Sequence, residues 1–151
     1  MPTVYRHTQR GVVILVFLGC GVLFVLGGLF VAANQTALIA VLAVLVVCAA
    51  LFRSMSIEIG SDVLAWSFGP GLIRKSIRIA DAQYAQVVRN RWFYGWGIHW
   101  TPHGWLYNVS GLGAVEIRLK SGKRFRPGTD EPEAVVHAIE NAGSAPAGRD
   151  E

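Results

Sequence analysis

Charge is scarce in this chain. Asp, Glu, Lys and Arg make up 16% of its 151 residues, against roughly 25% in an ordinary soluble domain. With 52% hydrophobic residues, that shortage excludes intrinsic disorder, which goes with little apolar content and much charge. There are only two cysteines, so no disulfide framework can hold the fold. Phosphate loops, CxxC pairs and dinucleotide fingerprints are missing. So are a Ser/His/Asp order and the paired carboxylates that would favour hydrolysis. The positive excess is small, a formal +4 with pI ≈ 9.4, too mild to point to nucleic acid.

What is present is unevenly spread. Mean hydropathy is +0.40, and the apolar residues crowd into the first third of the chain. Gly11–Ala33 is uncharged and as a helix spans about 34 Å, enough for a bilayer core of ~30 Å. Ala37–Phe52 is a second uncharged run, about 24 Å long, which spans if a flanking residue enters the interface or the bilayer thins. The expectation is a transmembrane hairpin. It has an N-terminal segment at 1–10, a first helix at 11–33, an external turn at 34–36 and a second helix at 37–52. Arg6, Arg10 and Arg53 flank the two runs and the turn Asn34-Gln35-Thr36 is uncharged. Positive flanks favour the cytoplasm, so both termini are expected there, in a multi-pass protein of the inner (plasma) membrane. A cleaved signal peptide fits less well, because its apolar core is only about 7–15 residues. Asn34-Gln35-Thr36 matches a glycosylation sequon but sits too tightly against the bilayer for an enzyme to reach. Cys20 and Cys48 fall at similar depth and are read as small hydrophobes. Gly28 and Ala32 form only a small-xxx-small pair.

After Arg53 the pattern changes to short alternating segments with turns between them. Strands are expected at Ser56–Ile59, Val63–Phe68, Ile73–Ile79, Tyr84–Arg91, Ile98–Thr101, Trp105–Val109, Ala114–Leu119 and Lys123–Arg126. In the third of these, Lys75 falls on the apolar side with Ile73 and Ile77. Strands this short and evenly spaced suggest an antiparallel sandwich or barrel. One amphipathic helix follows, with Asp130 as N-cap, Glu133 completing a capping box and Pro132 in the first turn. Its apolar stripe is Val135, Val136 and Ile139, and Gly143 is a natural stop. The segment 143–151 is expected to be a flexible tail.

Three segments carry a resemblance: Gly95-Trp96-Gly97-Ile98, Gly104-Trp105-Leu106-Tyr107-Asn108-Val109 and Gly128-Thr129-Asp130-Glu131-Pro132-Glu133. With about seven strands capped by a C-terminal helix, residues 53–142 resemble the pleckstrin-homology-like (PH-like) domains of small bacterial membrane proteins. The resemblance implies an all-β barrel or sandwich on a membrane anchor. It implies no chemistry.

Two features point toward function. Basic residues dominate from Arg74 to Arg126, where Asp81 and Glu116 are the only acids, while acids dominate from Pro127 onward. Arg118, Lys120, Lys123, Arg124 and Arg126 lie on two strands joined by Ser121-Gly122. Of these, Arg118, Lys120, Lys123 and Arg124 are the candidate contacts for anionic lipid or an acidic partner, since each well-placed cation near an anionic leaflet contributes about 1 kcal/mol. Aromatics also crowd between Trp92 and Tyr107. Trp92, Trp96 and Trp100 are the candidates for a bilayer interface or a partner groove. His99 and His103 have the spacing of two helical metal ligands, but Thr101-Pro102 rules out a helix there, and in a strand they stand about 13 Å apart. The reading is a non-enzymatic adaptor or assembly module that binds membrane lipids or a membrane-protein partner, without cofactor or metal and without nucleic acid. The competing reading is a small membrane enzyme with a site lined by His and Trp.

Overall fold

The computed structural model describes residues 3–31 and 35–144. Its first element is a strand, β1 (Thr3–Arg10), followed by two helices, α1 (Val12–Leu29) and α2 (Gln35–Phe52). The domain then adds β2 (Ser54–Gly60), β3 (Val63–Phe68), β4 (Ile73–Arg78), β5 (Ala82–Arg89), β6 (Gly97–Thr101), β7 (Gly104–Asn108), β8 (Gly113–Leu119), β9 (Arg124–Pro127) and α3 (Pro132–Ser144). The strands form two open sheets, ordered β1-β2-β3-β4 and β5-β8-β9-β7-β6.

Residues 3–10, expected to be a plain segment before the membrane, form the first strand of the domain. Arg10 lies opposite Ser54, and Arg6 opposite Glu58. The Arg6 guanidinium reaches that carboxylate at 3.3 Å. The helical hairpin is therefore an insertion between two paired strands. The Gly11 N–H donates to the Arg53 carbonyl at 2.8 Å, closing its base.

Both helices are long and apolar enough to cross a membrane, and their windows are almost wholly unburied. Small residues set how they pack. A Cβ on Gly21 would touch Leu45, and one on Gly28 would touch Leu38, while Gly19 and Gly27 meet nothing. Gln35 and Thr36, expected in the turn, belong to α2; residue 34 lies outside the described residues.

The first sheet follows period-two alternation. Met55, Ile57, Ile59, Leu64, Trp66 and Phe68 are buried against the second sheet. Lys75 pairs with Trp66 in register, so it too faces inward, from an edge strand. In the second sheet Val115, Ile117 and Phe125 face the core. Between them, β9 pairs antiparallel with β8 and parallel with β7.

The expected barrel or sandwich of about seven strands is a pair of open sheets with nine strands among the described residues. On one side α3 fills the gap, packing on β5, β8, β1 and β2 with Val135, Ala138, Ile139 and Ala142 buried. Asp130, expected to cap α3, instead approaches His7 Nε2 at 2.6 Å, and the Thr129 hydroxyl accepts the Glu131 N–H at 3.1 Å. Gly143 and Ser144 still belong to α3; the rest of the expected tail, 145–151, lies outside the described residues.

Candidate functional site

Among the described residues, the opposite side of the sandwich has no such cover. There β4 ends one sheet and β6 ends the other, and the seam between them is a cleft of about 810 Å³. Trp100, Trp105, Tyr107 and Phe125 line it, together with Lys75, Lys123 and Arg124. A smaller cavity of about 200 Å³, lined by Trp66, Ile73, Lys75, Ile98 and Tyr107, continues it between the two edge strands.

The strand register assembles this lining. Ile98 pairs with Tyr107 and Trp100 with Trp105; Trp105 in turn pairs with Phe125. The Trp100 and Trp105 rings meet edge to face at 5.8 Å, and Trp66 packs edge-on against Tyr107 at 5.3 Å. The Lys75 ammonium stands 5.5 Å from the centre of the Phe125 ring, within range of a cation–π attraction. Burial pushes the Tyr107 phenol up. The Trp66 indole N–H is buried without a hydrogen-bond partner.

A tight turn shapes the mouth. Pro102 and His103 join β6 to β7, and Gly104 follows with φ +103. A Cβ there would collide with the Arg124 carbonyl, so glycine lets β7 lie against β9. The β8–β9 turn forms the other lip, where Gly122, at φ +85, returns the chain. Both turns lie at the end of the domain away from the helical hairpin. At the hairpin end the Ile14 N–H donates to the Val109 carbonyl at 3.4 Å, and Gln9 Nε2 donates to the Ser110 carbonyl at 3.1 Å. The length of β8 separates the two ends by roughly 20 Å.

Four of the expected cations gather at this far end. Lys120 and Lys123 are exposed, Arg118 and Arg124 half-buried. Arg118 and Arg124 stand directly opposite each other across the β8–β9 pair, a destabilising juxtaposition of like charges, and Arg118 Nε is buried without a partner. Arg126 does not join them. It is 7% exposed, and its Nε donates to Glu116 Oε2 at 2.7 Å. The Tyr84 hydroxyl donates to Glu116 Oε1 at 3.1 Å, and Arg126 Nη1 to Asn90 Oδ1 at 3.4 Å. Glu116, an isolated acid in the sequence, is the centre of a buried network.

No family model, curated protein or solved structure matches this chain.

The three candidate tryptophans occupy three different places. Trp96 stacks on Phe17 of α1 at 5.9 Å and donates to the Gly111 carbonyl at 3.1 Å, which fixes the domain to the hairpin. Trp92 is 75% exposed, next to Phe93. Trp100 is 67% exposed and lines the cleft at the far end. Trp105, Tyr107, Phe125 and Lys75 were not among the candidate site residues; the crowding of aromatics up to Tyr107 and the inward placement of Lys75 were the signals that pointed to them. His99 and His103 do not converge with other ligands. Among the described residues no group of three or more His, Cys, Asp or Glu is placed to hold a metal ion. The cleft offers aromatic faces and three cations, so its chemistry is attraction of an anionic group next to apolar surface.

Proposed function

We propose that the chain is a non-enzymatic, membrane-anchored binding module, of PH-like type with a first strand contributed from before the anchor. Its cleft takes an acidic partner. The single observation that carries this is the open seam, with Lys75, Lys123 and Arg124 around an aromatic floor. Cations and rings suit binding; the lining residues supply no carboxylate or imidazole to move a proton.

The anchor reading draws support from the sheet. Because β1 pairs with β2, both ends of the helical hairpin emerge together, which requires an even number of crossings. Cleavage after α1 would strip β1 from the sheet, an argument against a signal peptide. Phe17, Leu23, Phe24, Val44 and Val47 are exposed on the helices, an apolar surface that soluble monomers rarely leave open. Arg6, Arg10 and Arg53 favour cytoplasmic ends.

Between lipid and protein, the geometry favours protein. Lys123 and Arg124 lie roughly 20 Å of strand away from the hairpin base, beyond a Debye length of about 8 Å; Lys75, in register with Trp66 and Ile57, lies about 10 Å from it. The acids Asp130 and Glu131 precede α3 and Glu133 lies in its first turn, next to Thr129, whose N–H donates to the Gly113 carbonyl at the hairpin end of β8.

The test uses the full chain in neutral-lipid nanodiscs with poly-L-glutamate as probe. The wild type should bind it in a salt-sensitive way. Lys75→Gln/Lys123→Gln/Arg124→Gln should abolish binding without loss of fold. Capture of anionic vesicles but not of polyglutamate would refute the acidic-partner reading.

A further inference from the structure

We infer that the occupant of the cleft is an extended acidic segment of a membrane-protein partner, which joins β6 as an added strand. This rests on the cleft being an acid-binding site and names how the acid is presented.

Sheet edges normally carry protection against pairing: charges, proline, bulges or a covering element. The four strands that end the two sheets differ in this respect. β1 and β5 border the side that α3 fills. β4 carries Arg74, Lys75 and Arg78. β6, Gly97-Ile98-His99-Trp100-Thr101, has no charge and no proline, and its register with β7 runs without a bulge. Its backbone pairs only with β7 among the described residues. An exposed edge of this kind is a template for strand addition, in which main-chain hydrogen bonds give affinity and alternate side chains give specificity.

The cleft supplies the specificity. An added strand presents every second side chain to the inner face, where Ile98 and Trp100 already point. Apolar side chains would meet Trp100 and Tyr107, and carboxylates would meet Lys75 and Lys123. Trp66, whose N–H is buried without a partner, lines the smaller cavity along the same seam. The basic β4 on the far wall repels a basic strand and accepts an acidic one.

A second copy of this chain does not fit the seam. Antiparallel pairing of two β6 strands would invert one copy and turn its anchor away from the shared bilayer.

The experiment uses the full chain in neutral-lipid nanodiscs. The probe is a fluorescent, acetylated heptapeptide in which Glu, Val and Glu alternate with Thr. Two further forms are N-methylated on alternate residues, one blocking each edge of the peptide strand. The parent should bind and slow amide exchange within residues 97–101. One methylated form should bind at least about tenfold more weakly, since each lost hydrogen bond costs about 1 kcal/mol, while the other keeps its affinity. Lys75→Gln/Lys123→Gln should remove binding of the parent with the thermal midpoint unchanged. Equal binding of both methylated forms, or binding without slower exchange in β6, overturns strand addition and leaves the acid-binding reading standing. Binding of poly-L-glutamate with no binding of the heptapeptide does the same. Failure of both probes overturns both readings.

Discussion

Removing Arg126 should damage the domain far more than removing any other basic residue near it. Arg126 and Glu116 are both almost fully buried, 7% and 4% exposed, and they are joined by hydrogen bonds from Nε and Nη2 to one carboxylate oxygen. Arg126→Met leaves the Glu116 carboxylate without its counter-ion, with only the Tyr84 hydroxyl to serve it. Breaking a buried pair from one side costs about 3–5 kcal/mol, which for a domain of this size lowers the thermal midpoint by more than about 10 °C. Replacing both charges, as Glu116→Leu/Arg126→Met, should restore most of the loss, because an apolar pair carries no desolvation penalty. The coupling energy from the double-mutant cycle should then exceed about 2 kcal/mol.

The pH dependence has a definite sign. Burial alone would raise the Glu116 carboxyl, but the Arg126 hydrogen bond and charge, the Tyr84 hydroxyl and the charge of Arg124 outweigh it and hold the group below its ordinary 4.5. A depressed carboxylate stabilises the fold above its unfolded pKa. That stability should drain away as pH falls below about 4.5 and through the folded value. Glu116→Gln should flatten this part of the profile. The assay is urea unfolding of the full chain in micelles, followed by tryptophan fluorescence across pH. A cost under about 1 kcal/mol for Arg126→Met, or additive single substitutions, would refute the reasoning.

Gly104→Ala should lower the thermal midpoint by several degrees, because φ +103 strains a side chain and the new methyl meets the Arg124 carbonyl; an unchanged midpoint by calorimetry would contradict this. A fragment of residues 53–151 should be markedly less stable to urea than the full chain, since it lacks β1 and with it the Tyr5 and His7 contacts to Glu131 and Asp130 just before α3; equal urea midpoints would mean that β1 is dispensable. Reporters fused after Glu151 should be active only in their cytoplasmic form, and periplasmic activity would reverse the topology. Iodide should quench Trp92 and Trp100 and leave Trp66 untouched; quenching of Trp66 in a single-tryptophan variant would mean that the core is open.

Most of the domain could be read from the chain because its strands alternate with period two and its turns carry Gly and Pro. Val63–Phe68 agrees residue for residue, and the other expected strands lie within a few residues of β2 and β4–β9. What escaped was long-range. Thr3–Arg10 has only polar or β-branched alternation, and its arginines carry a positive-inside signal, so its partner across the hairpin left no local trace. The insertion of β9 between β8 and β7 is equally invisible to local pattern. The site suffered for the same reason. The crowding of Arg118, Lys120, Lys123 and Arg124 was legible from one turn, whereas the aromatic floor needs β6, β7 and β9 side by side. The burial of Arg126 was not legible, because strand alternation says which face a residue takes, not whether that face is covered.

The placement of the helical hairpin between β1 and β2 also orders events at the ribosome. β1 emerges first but has no partner until everything up to Gly60 has been made. At about 5–20 residues per second, that wait lasts seconds, longer than strands take to pair once both are present. On the anchored reading proposed above, α1 and α2 enter the bilayer and return during that wait, because a hairpin stopped after one crossing leaves β1 and β2 on opposite sides. Completion of the first sheet is therefore conditional on completed insertion. A chain that fails to thread would be left with an unpaired β2 edge, the kind of defect that quality-control proteases recognise.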